Sequence, residues 1–256
     1  MITAITRAVS ASITRCELTH VERAPIDLAL ARAQHAEYEA ALERLGCRVV
    51  SLPELPELPD AVFVEDSAVV LDEAAILTRP GAESRRAEVE AMAEALVPFR
   101  PLRRVEAPGT LDGGDVLRLG RTLYVGESSR TNASGIAQLA ALALPFGYDV
   151  VPLRVHGALH LKTAVTQVAP RTLLMNRAWI DAPFSGYEAI HVAEEEPFGA
   201  NAVLVNGTVI HSTAFPRTQE SLSRAGIPVL GVDASELAKA EGGVTCCSLL
   251  FDVVPL

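Results

Sequence analysis

Two stretches of the 256-residue chain carry residues that could do chemistry together. Near the end, Gly242-Gly243-Val244-Thr245-Cys246-Cys247-Ser248 sets a thiol where a glycine turn runs into a short apolar run of strand type, Leu249-Leu250-Phe251. Upstream, Leu159-His160-Leu161-Lys162-Thr163 is an alternating run with a histidine in it. A cysteine and a histidine that meet only in the folded chain are the minimal set for thiolate nucleophilic catalysis. Each also has a blander reading, since a lone buried cysteine is commonly a small core hydrophobe. The same holds for the charged candidates around them. Glu65-Asp66 reads by itself as a solvated strand end, and Asp112, beside Gly113-Gly114, as a turn residue. Arg85 reads as a helix-face charge and Arg130 as a loop charge. His156, His191 and His211 lack metal-ligand partners at sensible spacing, so neither a metal nor a cofactor is expected.

Composition narrows the partners. The chain is 49% hydrophobic and 21% charged, an ordinary globular balance with enough apolar residues for a large core. Its net charge of −10 and the absence of any Lys/Arg block longer than two argue against nucleic acid and against an anionic membrane surface. An acidic chain is compatible with a cationic small ligand. The four cysteines, Cys16, Cys47, Cys246 and Cys247, form no disulfide framework, which points to reduced thiols and a cytoplasmic setting. The N-terminal residues show no signal-peptide pattern, and no apolar run approaches a membrane span. One catalytic domain over residues 1–256 is expected; a homodimer is compatible with the sequence but not required by it.

The elements that must position these residues follow a repeating grammar. Residues 2–9 read as a strand, 10–25 as a loop, Ile26 to Leu45 as a helix stopped at Gly46, and 48–53 as a strand before a Pro-rich connector at 52–59. Residues 61–66 read as a strand ending in acids, followed by strands at 68–71 and 75–78 and a helix from Ser84 to about Leu96. The next unit has strands at 116–119 and 122–125, a helix from about Asn132 to Leu144, and a strand at 149–153. A third unit starts at His160 and carries a strand at 172–176. A fourth pairs 200–205 with 208–211 around Asn206-Gly207, the strongest hairpin signal in the chain. A helix from Thr218, a strand near 227–232 and a helix start at Asp233-Ala234-Ser235-Glu236 lead to a fifth unit at Thr245. The polar marks Asp66, Asp115, Lys162, Asn201 and Cys246 are spaced by 49, 47, 39 and 45 residues. Such a period marks a repeat architecture whose units close on one another. If the first strand of each unit faces a shared axis, Glu65-Asp66, Asp112, His160 and Cys246 converge there.

Six blocks taken together resemble the dimethylarginine dimethylaminohydrolase (dimethylargininase) family of the pentein superfamily. They are Asp60 to Asp66, Thr78-Arg79-Pro80-Gly81-Ala82 with Ser84-Arg85-Arg86, Leu111-Asp112-Gly113-Gly114-Asp115-Val116, Ser129-Arg130-Thr131-Asn132, Leu159 to Thr163, and Thr245-Cys246-Cys247-Ser248. They occur in the family's order from about Arg7 to Phe251. The resemblance implies a pentein α/β-propeller, with five ββαβ-type repeats around a pseudo-fivefold axis. It implies Cys246 as nucleophile, His160 as general acid/base, and Asp112 as the acid that orients that histidine. Asp66 and Glu65 would bind the guanidinium, Arg85 and Arg130 the substrate's α-carboxylate, and Asp60 its ammonium. Leu18, in a mobile lid, and Ala240 would contribute through backbone carbonyls. The substrate implied is Nω-methylated L-arginine, hydrolysed to citrulline and an amine through a thiouronium intermediate. One departure bears on rivals: arginine deiminases of the superfamily carry aspartate where this chain has Lys162, so methylated arginine ranks above arginine. A deiminase, another guanidine-modifying pentein, a non-catalytic pentein and an α/β binding protein remain as alternatives. Cys247 is expected in the core.

Overall fold

In a computed structural model of the chain, which describes residues 1–180 and 184–253, the period seen in the sequence becomes five small sheets. Residues 181–183 and 254–256 of the expected 1–256 domain lie outside the described residues. The elements in chain order are β1 (Ile2–Arg7), α1 (Leu28–Arg44), β2 (Arg48–Leu52), β3 (Ala68–Val70), β4 (Ala75–Leu77), α2 (Glu88–Leu96) and β5 (Leu102–Arg104). Then come β6 (Val116–Leu119), β7 (Thr122–Glu127), α3 (Ala133–Ala143), β8 (Asp149–Arg154), α4 (Leu161–Ala164), β9 (Val165–Ala169), β10 (Thr172–Met175) and β11 (Glu188–His191). The chain ends with β12 (Ala202–Val205), β13 (Thr208–Ser212), α5 (Pro216–Arg224), β14 (Val229–Val232), α6 (Ser235–Ala238) and β15 (Leu249–Asp252).

Every sheet repeats one pattern: the first two strands pair antiparallel and the second and third pair parallel. Parallel pairing needs a crossover, and α1, α2, α3 and α5 supply it in four units. In the unit of β9–β11 the crossover from Asn176 to Tyr187 holds no helix among its described residues, so the expected five ββαβ units are four plus a variant. The fifth sheet is closed by both ends of the chain, β15 pairing with β1. Three strands do not stand out in the sequence: β5 and β11, short and half-buried or exposed, and β9, short and mostly buried.

The five polar marks do not lie on the first strands. Each sits in the turn that leads into one: Asp66 before β3, Asp115 before β6, Lys162 in α4 before β9, Asn201 before β12, and Cys246 before β15. These turns are stitched into a closed ring. Asp66 Oδ1 accepts from Gly114 N at 2.9 Å, and Asp115 Oδ1 from Leu161 N at 2.9 Å. Lys162 O accepts from Asn201 Nδ2 at 3.2 Å, Asn201 Oδ1 from Thr245 N at 3.1 Å, and Cys246 O from Glu65 N at 3.1 Å. Buried amides must find acceptors, and here each turn satisfies its neighbour's. The polar character of the marks is therefore as much a property of ring closure as of chemistry.

The core lies between sheets and helices. On α1, Ala31, Tyr38, Ala41 and Leu42 share a buried face, packed with Val203, Val205, Ile210 and Cys247. Tyr38 Oη bonds Ser248 Oγ at 2.7 Å, which pins the segment just after Cys246 to this helix. Cys247 is buried in the same cluster, as expected.

Candidate active site

The local folding of Ala61–Ser67 differs from the strand expected. The run Ala61-Val62-Phe63-Val64 is buried, but it leads into a 3-10 turn at Val64–Ser67. A short apolar run is ambiguous between strand and other buried backbone, and Glu65 and Asp66 are not solvated: both are buried. The glycine pair before Cys246 is also required for another reason than chain reversal. Neither glycine has a left-handed backbone; a Cβ on Gly242 would meet the Phe63 ring at 2.1 Å, and one on Gly243 would meet Asn201 Oδ1 at 2.4 Å. The thiol turn fits only because its backbone can approach these neighbours closely.

One cavity gathers Asp60, Asp66, Arg85, Arg130, His160, Ala240 and Cys246, seven of the ten candidate residues. Three lie elsewhere. Asp112 stands behind His160, its Oδ2 3.0 Å from His160 Nε2, and its Oδ1 accepts from Gly81 N at 2.9 Å. Glu65 is turned away from the cavity, toward Lys162 Nζ at 2.6 Å and Thr245 Oγ1 at 2.8 Å. Leu18 packs against the α1 core cluster, while its neighbour Glu17 lines the cavity. Lys162 pairs with Glu65 and does not line the cavity.

Electrostatics separates the two reacting candidates. Burial alone would lower the His160 pKa, but Asp66, the hydrogen bond to Asp112, and Asp115 raise it to about 9. The ring is an imidazolium at neutral pH. Burial first, then Glu65 and Asp66, push the Cys246 thiol up to about 12, with the Gly243 N–H at 3.4 Å and the Thr245 hydroxyl opposing. Among the described residues the sulphur has no hydrogen bond to His160; its other polar neighbour is Thr245 Oγ1 at 3.9 Å. The thiol is therefore protonated until something cationic approaches it. Asp66 shows the opposite balance: burial works against its charge, but His160, Arg85 at 2.5 Å and Gly114 N hold its carboxyl well below the usual range. A direct test follows. Glu65→Gln removes a charge that raises the thiol and frees the Lys162 cation, so alkylation of Cys246 by iodoacetamide at pH 8 should quicken by about tenfold for each unit the pKa falls. An unchanged labelling rate would mean that the Glu65 charge is not felt at the sulphur.

The arginines differ. Arg85 Nε and Nη2 grip Glu88 at 3.1 and 2.8 Å, Nη2 also reaches the Phe63 and Asp60 carbonyls, and Nη1 holds Asp66, which leaves one Nη1 proton free. Arg130 is less engaged, with Nη2 on Thr19 Oγ1 at 3.1 Å and Nη1 3.9 Å from Asp112. Asp60 accepts from Glu17 N at 3.1 and 3.3 Å, and burial raises its pKa. Glu17, Glu88, Asp115 and Glu241 belong to the site or its support and were not among the sequence candidates; only Asp115 had a signal, as a repeat mark. The ligand atoms of Asp66, Asp112 and His160 lie within 4.8 Å of one another and could hold a divalent cation, a set whose residues are far apart in sequence. The protonated ring and Arg85 on Asp66 already supply that charge.

Along nearly its whole length the chain is similar to proteins of one family. A family model described as "N,N dimethylarginine dimethylhydrolase, eukaryotic" matches residues 20–251. An N(G),N(G)-dimethylarginine dimethylaminohydrolase from Pseudomonas aeruginosa is 41% identical over 228 residues, covering 88% of this chain and 90% of the relative. Another of that name from Streptomyces coelicolor is 41% identical over 248 residues, 96% of this chain and 95% of the relative. The solved structure of a cysteine-to-serine variant of the Pseudomonas aeruginosa protein, complexed with citrulline, superposes with a TM-score of 0.93 at 38% identity, over 98% of this chain and 100% of that one. A pentein-type closure of five sheets, a half-buried thiol and a buried imidazole in one cavity, and matches along nearly the whole chain place this protein in the dimethylarginine dimethylaminohydrolase family.

Proposed function

We propose that the chain hydrolyses Nω-methylated L-arginine to L-citrulline and methylamine or dimethylamine, with Cys246 as nucleophile and His160 as proton carrier. The observation that carries this is the meeting of Cys246, His160 and Asp66 in one cavity, with Asp112 hydrogen-bonded to the imidazole. A guanidinium laid between Asp66 and the sulphur would offset the carboxylates that raise the thiol, so the thiol releases its proton to solvent and becomes a thiolate as the cation binds. The sulphur attacks the guanidinium carbon, and the His160 imidazolium protonates the departing amine nitrogen as the C–N bond breaks. A cationic thiouronium remains on Cys246. Neutral His160 then takes a proton from water; the oxygen adds to the same carbon, the C–S bond breaks to give citrulline, and the thiolate regains a proton. Asp112 holds the ring on its Nε2 side.

Arg130, with free donors at the cavity, is the stronger candidate for the substrate carboxylate, with Arg85 contributing its one free proton, and Asp60 takes the ammonium. Leu18 and Ala240 would add backbone carbonyls. The Lys162–Glu65 pair supports methylated over free arginine. With Glu65 neutralised by lysine, Asp66 is left as the acceptor for a terminal nitrogen, and a second unmethylated nitrogen has no anion to meet. The four free cysteines fit a reducing, cytoplasmic setting. Among the described residues no helix is long and apolar enough to cross a membrane.

Citrulline release from asymmetric dimethylarginine and from arginine, side by side and with and without chelator, tests the reading. Turnover of the methylated substrate alone is expected, unaffected by chelation. Turnover of arginine alone would move the chain to the deiminases, and activity lost to chelator would assign the Asp66–Asp112–His160 set to a metal.

A further inference from the structure

Among the described residues two non-glycine residues have a left-handed backbone: Asn206 at φ +46° and Glu241 at φ +59°. The first belongs to the Asn-Gly turn between β12 and β13, where such an angle is the rule. The second has no such excuse, because glutamate rarely adopts this conformation and glycines stand immediately after it. A strained residue persists only where its surroundings hold it, and here the hold is visible. The Glu241 carboxylate accepts the backbone N–H groups of three consecutive residues, Thr19 at 2.9 Å, Val21 at 2.7 Å, and His20. Successive amides pointing at one anion form a concave donor cluster, and bonds to a charged acceptor are the strong kind.

The position gives these bonds meaning. Glu241 follows Ala240, precedes Gly242, and all three line the cavity that holds Cys246. The segment it grips borders the site: Glu17 lines the same cavity, and His20 and Val21 line an adjoining one that also reaches Cys246. Its near end, Glu17, bonds Asp60 through its amide and takes Ser84 Oγ on its carboxylate at 2.6 Å, while Thr19 Oγ1 accepts from Arg130. Asp60 and Arg130 are also the groups assigned above to the substrate's ammonium and carboxylate. Segment and substrate therefore compete for both, and a lid tied only there would be released by the ligand it should cover. The Glu241 contact uses no group the substrate needs.

We infer that Glu241 is a positioning residue, a latch that keeps residues 17–21 over the cavity and ties them to the turn carrying Cys246 while Asp60 and Arg130 change partners. The kinetic part of this rests on the substrate reading above; the latch itself does not. Glu241→Gly is the discriminating variant, since glycine adopts the left-handed angle freely and only the carboxylate is lost. Glu241→Gln keeps length but not charge. Removing a three-amide acceptor should speed hydrogen exchange of the 19–21 amides by about tenfold or more and raise KM for asymmetric dimethylarginine by about tenfold, with a smaller change in kcat. Iodoacetamide should also label Cys246 faster, and Glu241→Gln should fall between. Wild-type exchange and labelling rates in Glu241→Gly would overturn the latch. So would a loss confined to kcat. If the wild-type protein turns over no methylated arginine, the substrate reading fails, and the exchange and labelling arms still decide the latch.

Discussion

Cys246→Ser should abolish citrulline formation while leaving the fold and ligand binding in place. A serine hydroxyl becomes a nucleophile only beside a base that takes its proton. Among the described residues nothing near the sulphur plays that part: its polar neighbours are Gly243 N and Thr245 Oγ1, and His160 is already protonated, with Nε2 engaged by Asp112. The thiol does without a base because a bound cation can draw its pKa down from about 12, but an alcohol starts several units higher. The loss should be about a thousandfold or more, as for other residues that form the covalent bond. Stability should change little, about 0.5 kcal/mol in either direction, because the sulphur is only partly buried and loosely bonded. The adjacent Cys247 cannot substitute, being packed among Tyr38 and Val203 on the other side of the turn. Citrulline assay, calorimetric titration with methylarginine and thermal denaturation measure the three quantities. A variant that keeps more than about a hundredth of wild-type turnover would place the nucleophile elsewhere.

What the sequence made legible was spacing; what it concealed was direction. The 39- to 49-residue period of Asp66, Asp115, Lys162, Asn201 and Cys246 was visible, and it corresponds to five sheets. That these residues occupy turns rather than strands was not, because the apolar runs before and after them read alike. The same ambiguity put Glu65 and Asp66 at a solvated strand end. In the turn the two neighbours part company, Asp66 facing the cavity and Glu65 facing Lys162. Of the seven candidate residues that line one cavity, Asp66, His160 and Cys246 lie on or beside the turns of the ring, and Asp60, Arg85, Arg130 and Ala240 reach it from other turns and loops. The residues that were missed, Glu17, Glu88 and Glu241, stand in no periodic pattern and act through contacts made across 43, 3 and more than 200 residues. The ring also sets the base of the site apart from its rim. Backbone amides donate to side-chain oxygens in both, but the ring's bonds to Asp66, Asp115 and Asn201 are buried, whereas those from Thr19 and His20 to Glu241 are exposed.

Replacing His160 by glutamine should show itself in two independent ways. Turnover should fall by about a hundred- to ten-thousandfold, the range for loss of a positioned proton carrier. Stability should lose its dependence on alkaline pH. In the folded protein the imidazolium sits among Asp66, Asp112 and Asp115, which raise its pKa to about 9 against an ordinary value near 6.5. A group whose folded pKa is raised contributes stability that is fully present below the unfolded value and is lost as pH climbs through the folded one. The window is therefore pH 6.5 to 9, and the shift of about 2.5 units corresponds to about 3 kcal/mol across it, shared among the three carboxylates. At pH 6 wild type should exceed His160→Gln by that margin beyond any packing difference; by pH 9.5 the margin should be gone. Denaturant titrations of both proteins at half-unit pH intervals measure it. A difference that stays constant across the window would mean that His160 is not charged at neutral pH, and the proton delivered to the leaving amine would have to come from another group, with Asp115, raised to about 6 by burial, the next to test.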